Sequence, residues 1–197
     1  MLAAVVVGAV GHYIVAKSQE DTTVFTYPIE LTPDNSGYTM EAEVKDNALK
    51  CKPNNNKGCV DFKENTVGFI KFYLPGSKWK NKRCKQNSND MEVITKIELT
   101  TNGSGDKGVF NEDLPDPPLL AEWIKIDAFP GVDLTTGIVY ESTPAEGQTQ
   151  IYLANLNSHD SSEGTKSFWY RVTASTCKDA GKGPWVTDPR GDNKGMN

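Results

Sequence analysis

Histidine is the scarcest side chain of catalytic use in this 197-residue sequence. Two occur, His12 in an apolar stretch and His159 in a Ser/Asp/Gly loop. Neither can be set beside a serine or cysteine nucleophile by a known spacing, so nothing in the chain asks for triad chemistry. Gly103-Ser104-Gly105 reads as a turn, not as a nucleophile elbow at a strand-to-helix junction. Gly181-Lys182-Gly183 lacks the following helix that would make a phosphate cradle. Cations are also in short supply, with 21 Lys and Arg against 26 Asp and Glu. The net charge of −5 argues against a sequence-independent nucleic-acid binder, which needs clustered cations. Compositional bias is missing as well: 17 Gly and 11 Pro exclude collagenous, low-complexity and wholly disordered chains. No segment after residue 20 repeats apolar residues at helical spacing for three turns.

Metal centres are equally undersupplied. Cys51, Cys59, Cys84 and Cys177 contain no short Cys-x2–4-Cys pair of the kind zinc sites use. Asp106, Glu112, Asp113 and Asp116 lack the regular oxygen-ligand spacing of a calcium loop. Carboxylates are so plentiful that no pair of them is informative. The expectation is a protein with no metal and no cofactor that is not an enzyme.

What is present begins at the N-terminus. Residues 1–16, MLAAVVVGAVGHYIVA, carry no charge, and the first charged residue is Lys17. As a helix this stretch would be about 24 Å long, short of the roughly 30 Å hydrocarbon core of a bilayer. A signal peptide is disfavoured by the absence of a basic leading region. The expected form is a hydrophobic helix that inserts in a membrane or packs in a bundle, with membrane contact through residues 1–16. Its valine content keeps a second reading open, a strand that completes another subunit's sheet. Residues 1–19 are therefore set apart as an anchor and assembly segment, with Leu2, Val5, Val6, Val7, Val10, Ile14 and Val15 as its contact residues.

Four cysteines in an anchored chain imply two disulfides and an extracytoplasmic location. Cys51–Cys59 and Cys84–Cys177 is the favoured pairing, because the Pro/Asn/Gly loop between Cys51 and Cys59 brings its ends together easily. Beyond Lys17 the pattern is strand and turn. Short β-branched and aromatic runs fall at 24–31, 38–44, 67–74, 93–100, 123–128, 137–141, 149–156 and 167–175, most of them alternating with period two. Turn clusters separate them at 33–37, 102–106, 130–131 and 158–164. The fold class expected is all-β, an antiparallel β-sandwich over residues 20–197 preceded by the N-terminal hydrophobic helix. The Pro-rich acidic stretch at 111–118 marks a sub-boundary or a long loop.

Two resemblances sharpen this expectation. LAAVVVGAVGHYIVAKSQ, residues 2–19, resembles the second half of the N-terminal helix of type IV pilins, which anchors the subunit and then packs in the filament core. TQIYLANL, FWYRVTAST and GKGPW resemble the E, F and G strands of a fibronectin type III or related immunoglobulin-like domain. The first implies assembly with copies of the chain; the second implies architecture and says little about function.

Charge is segregated along the chain. Residues 71–85 hold six cations and no acid, whereas residues 106–163 hold eleven acids and two cations. Solvated loops explain such runs most simply, yet head-to-tail pairing of copies would use them. Within the basic run, Lys78, Trp79 and Lys80 are the candidate contact for a glycan or other host-surface ligand, with Trp79 also able to serve as a core anchor. Arg190-Gly191-Asp192 reads as a chance integrin tripeptide, and Asn102-Gly103-Ser104 as a glycosylation acceptor in a turn. The function expected is a structural subunit of an extracellular surface assembly, a pilin-like filament packed through the N-terminal segment. The alternatives are a membrane-tethered adhesion or binding module, or a virion membrane or capsid protein of the same layout.

Overall fold

The computed structural model describes residues 3–5, 14–16, 23–33, 39–46, 50–51, 58–79, 92–101, 103–104, 107–110, 129, 133, 136–144, 146–157, 160–174, 185–187 and 190–194. In chain order the elements are β1 (Ala3–Val5), β2 (Ile14–Ala16), β3 (Thr23–Pro33), β4 (Met40–Val44), β5 (Val60–Phe62), β6 (Thr66–Tyr73), the single-turn helix α1 (Gly76–Trp79) and β7 (Ile94–Thr100). There follow β8 (Gly103–Ser104), β9 (Lys107–Gly108), β10 (Ile138–Glu141), β11 (Gln150–Asn155), a 3-10 turn (Ser161–Glu163), β12 (Lys166–Ala174), β13 (Trp185–Thr187) and β14 (Arg190–Asn193). The fold is all-β.

Two sheets share one core. The four-stranded sheet has the order β11-β6-β3-β4, and the six-stranded sheet runs β10-β7-β12-β14-β5 with β13 paired to β12. Alternation does the sorting. β4, MEAEV, buries Met40, Ala42 and Val44 and exposes Glu41 and Glu43. β6 turns Ile70 and Phe72 inward and leaves Phe69, Lys71 and Tyr73 half-buried on the other face. Tyr27, Ile29 and Leu31 of β3 and Phe168, Tyr170 and Val172 of β12 are fully buried. Their rings bridge the layers: Tyr27 stacks on Phe62 with centroids 4.0 Å apart, and Phe72 meets Tyr170 edge-on at 5.0 Å. Each such buried side chain contributes about 1.5–3 kcal/mol of transfer free energy. Inward-facing rows from two sheets that fill one core make a β-sandwich.

The sheets are mixed, where the sequence pattern suggested antiparallel ones. β3 runs parallel to β6 from Thr23–Thr66 to Glu30–Tyr73, and β14 runs parallel to β5 from Gly191–Val60 to Asn193–Phe62. Periodicity of two reports that a strand is half-buried, not which direction its neighbour takes, so these pairings had no local signal.

The N-terminal helix is likewise not what the structure holds. Ala3–Val5 and Ile14–Ala16 are strands paired antiparallel, with Val5 opposite Ile14 and Ala4 opposite Val15. β-branched Val5, Ile14 and Val15 lose side-chain freedom in a helix and fit a strand, and Gly8 and Gly11 would each cost a helix about 1 kcal/mol. Leu2, Val6, Val7 and Val10 lie outside the described residues. Among the described residues, no helix is long and apolar enough to cross a membrane.

The expected strands at 24–31, 38–44, 67–74, 93–100, 137–141, 149–156 and 167–175 correspond to β3, β4, β6, β7, β10, β11 and β12, and the one at 123–128 falls outside the described residues. β5 and β14 were not expected, and β13 begins at Trp185, the last residue of the GKGPW stretch. β14 reads Arg-Gly-Asp-Asn, a turn-like composition, yet it sits between β12 and β5 because the core fixes it there. Gly191 is what admits it: a Cβ at this position would come within 2.1 Å of the Phe168 ring, which is fully buried.

Close approach of backbones matters most at Gly68. A Cβ there would lie 2.2 Å from the carbonyl oxygen of Phe25 on the parallel partner strand. We expect Gly68→Ala to cost about 1–3 kcal/mol, as overpacking does. Its melting temperature should fall by roughly 2–4 °C for each of those kilocalories, measured by calorimetry.

Burial also marks Tyr27, whose hydroxyl is pushed up to about 12. Desolvation is the main cause and the Asp61 carboxylate adds to it; the Thr66 hydroxyl opposes it without a well-formed hydrogen bond. Because the folded state holds this proton more tightly than the unfolded chain, the contribution is intact below about pH 10 and is lost as pH rises toward 12. Urea unfolding from pH 8 to 12 should show about 2 kcal/mol of alkaline loss from this group, absent in Tyr27→Phe.

Candidate interaction surfaces

The sequence-predicted residues separate cleanly once placed. Cys51 and Cys59 form a disulfide with Cα atoms 5.4 Å apart, and both are buried. The bridge closes the loop leading into β5, where Lys50 pairs antiparallel with Val60 and the Tyr170 hydroxyl donates to the Gly58 carbonyl. In the chain-entropy account a loop of this size is worth about 2.5 kcal/mol. Cys84 and Cys177 lie outside the described residues, as do Lys80, His12, His159, Asn102, Asp106, Glu112, Asp113 and Asp116. Among the described residues, the gathered metal-ligand side chains are Cys51, Cys59 and Asp192, and the two sulfurs are already bonded to each other.

Trp79 is a core anchor. It closes α1 at 2% exposure, and its indole Nε1 donates to the Leu31 carbonyl of β3 at 2.8 Å. Pro75 starts that turn, accepting from the Lys78 and Trp79 amides. Lys78 beside it is exposed and reaches Glu30 at 3.8 Å. The basic segment thus contributes one residue to the interior and one to the surface. Of the two roles open to this tryptophan, ligand contact or core anchor, the fold gives it the second.

Arg190-Gly191-Asp192 is similarly spoken for. Arg190 Nε donates to Asp192 Oδ1 at 2.9 Å, and Ser167 Oγ on β12 donates to the same oxygen at 2.8 Å. The guanidinium lies 5.9 Å from the centroid of the Trp169 ring. A tripeptide held in a central strand with its ends bonded to each other lacks the loop geometry that receptor capture requires.

Two surfaces remain open. The first is half of an edge. β3 is 11 residues long, but β4 accompanies it only over Ile29–Pro33, extended by a bond from the Lys45 amide to the Pro28 carbonyl at 3.0 Å. Among the described residues, Thr23–Tyr27 therefore has a neighbour on the β6 side alone. Alternate N–H and C=O groups of that stretch point away from the sheet, beside Val24 at 56% and Phe25 at 38% exposure.

The second is the outer face of the four-stranded sheet. Parallel register sets Pro28 beside Lys71 and Glu30 beside Tyr73, and the antiparallel register of β11 sets Tyr152 beside Lys71. Glu30 is nearly buried and saturated: Lys45 lies at 3.3 Å, Lys78 at 3.8 Å, and the Tyr73 hydroxyl donates at 3.1 Å. Burial, then that bond to Glu30, raise the Tyr73 hydroxyl above its usual range. The bond to Glu43 at 2.9 Å is the largest cause of a raised Lys45. Nothing local in the sequence showed that three separate strands line these residues up.

No protein-family model matches the chain, and no curated protein matches it.

Trp79→Ala should lower stability by about 3–5 kcal/mol in chemical denaturation, the usual cost of emptying an aromatic core position. Trp79→Phe should cost less, leaving the Leu31 carbonyl short of its donor at about 1–3 kcal/mol.

Proposed function

We propose that this protein is a structural subunit of an extracellular surface assembly, joined to its copies by addition of a strand to the open half of β3. The observation that carries the reading is that, among the described residues, Thr23–Tyr27 pairs on the β6 side alone, with Val24 and Phe25 exposed beside it. A strand edge that presents unpaired backbone groups and apolar side chains is a template for another chain, and proteins that stay monomeric blunt such edges with charge, proline or a bulge. No charged residue occurs from Thr22 to Tyr27. The donor is the uncharged N-terminal segment, whose Ala3–Val5 and Ile14–Ala16 adopt strand conformation. Addition of this segment to the next copy is a head-to-tail contact, and such contacts propagate into filaments when rotation does not close a ring.

The Cys51–Cys59 disulfide supports an oxidising compartment outside the cytoplasm. The segregated charge of residues 71–85 and 106–163 suits the same polarity, one end of a subunit meeting the other end of the next. Strand addition replaces helix packing as the joining mode, because main-chain hydrogen bonds supply affinity where a short apolar helix would have to rely on its side chains alone.

Negative-stain electron microscopy and sedimentation velocity of the full chain test this. The unaltered chain should form fibres or large oligomers. Val24→Lys combined with Thr26→Lys, at exposed positions of the open edge, should sediment as a monomer with an unchanged melting temperature. An unaltered chain that stays monomeric at high concentration, or a doubly substituted chain that still polymerises, would sink the proposal.

A further inference from the structure

The outer face of the four-stranded sheet holds a cation with no carboxylate partner among the described residues. The Lys71 ammonium lies 5.5 Å from the centroid of the Tyr73 ring and 5.5 Å from that of Tyr152. No carboxylate among the described residues lies within ion-pair distance of it, whereas its neighbours are spent: Lys45 on Glu30 and Glu43, Lys78 on Glu30. Rings hold a cation in place through their quadrupole but do not neutralise it. Beside this ammonium is an apolar plate open to water. Tyr152 is 48% exposed, and Phe69 meets its ring edge-on with centroids 6.4 Å apart. Gln150, exposed and opposite Tyr73 in register, supplies an amide at the border of the plate.

We propose that this face binds an acidic polysaccharide of the uronic-acid class. A pyranose ring presents a flat face of C–H groups that can lie on an exposed aromatic ring, since the ring's negative face attracts polarised C–H bonds. A uronic acid adds one carboxylate at the edge of that same ring, a counter-ion for the Lys71 ammonium that sits over the Tyr152 ring 5.5 Å from its centroid. Its hydroxyls find a donor and acceptor in Gln150. The three features match one monomer of such a sugar. An acidic peptide would need several free cations and has no flat face to lay on Tyr152. A lipid acyl chain would need a depth that a sheet surface does not offer. The site is independent of the open edge of β3: it faces outward from the sheet, and the edge lies in the sheet's plane.

The experiment is a calorimetric or NMR titration of the full chain with galacturonic-acid hexamer and, separately, with neutral galactose hexamer, at low salt. The acidic hexamer should bind at least about tenfold more tightly, and raised salt should erase the difference. Lys71→Met should remove the preference for the acidic sugar and leave neutral binding unchanged. Tyr152→Ala, at a half-exposed position, should weaken binding of both sugars, with thermal unfolding reporting that the fold is kept. Equal affinity for the two hexamers, no binding of either, or indifference to Lys71→Met would overturn the proposal. So would sugar-free self-association that vanishes in Tyr152→Ala, which would assign the face to a second copy of the chain.

Discussion

The parallel register of β3 on β6 is the constraint on which the rest of the molecule depends. It aligns Tyr27 and Ile29 with Ile70 and Phe72 toward the core and aligns Pro28 and Glu30 with Lys71 and Tyr73 toward the outside. A slip of one residue would exchange these rows, placing Glu30 and Lys71 among aromatic rings at a cost of several kcal/mol per unpaired charge. Gly68 sets how near the strands can come, since the Phe25 carbonyl occupies the space a side chain would need. Trp79 then locks the arrangement from the end of the sheet by donating to Leu31 of β3. Because parallel strands cannot be joined by a tight turn, the chain between β3 and β6 must leave and return. It uses the excursion to build β4 on the free side of β3, to close the Cys51–Cys59 loop, and to place β5 in the opposite sheet.

That geometry explains what was legible from the amino acids. Strands that alternate apolar and polar residues over several positions declared themselves; β4, β6, β11 and β12 are of this kind. The short bridge between Cys51 and Cys59 was readable for the same local reason, a turn-rich loop flanked by its own ends. Direction and partner choice were not readable, because both β3–β6 and β5–β14 are decided by contacts between residues far apart in the chain. Arg190–Asn193 shows the limit most clearly. Its composition signals a turn, and only the slot between β12 and β5, with Phe168 lying over Gly191, makes it a strand.

The same distinction applies to the surfaces. Trp79 drew attention as an aromatic flanked by lysines that could meet a ligand or anchor the core, and the structure uses it internally. The aromatic plate of Phe69, Tyr73 and Tyr152 drew none, since each of its residues sits singly in an alternating strand and is unremarkable there. It exists only because β11 and β6 are neighbours and Lys71 stands between the two tyrosines. Similarly, the valine-rich N-terminal segment could be read as helix or strand from its apolarity, and its β-branching, with glycine at positions 8 and 11, is what argues for the strand.

The position of β14 bears on when the fold can form at all. Val60 has no partner on its β14 side until Gly191 has been made, and β12 likewise waits for Arg190. The six-stranded sheet therefore stays divided until residues 190–193 have been made, with Phe62 and Phe168 lacking the strand that joins them. Closure of this sheet thus waits on pairing between residues far apart in the chain, the kind of contact that forms slowly.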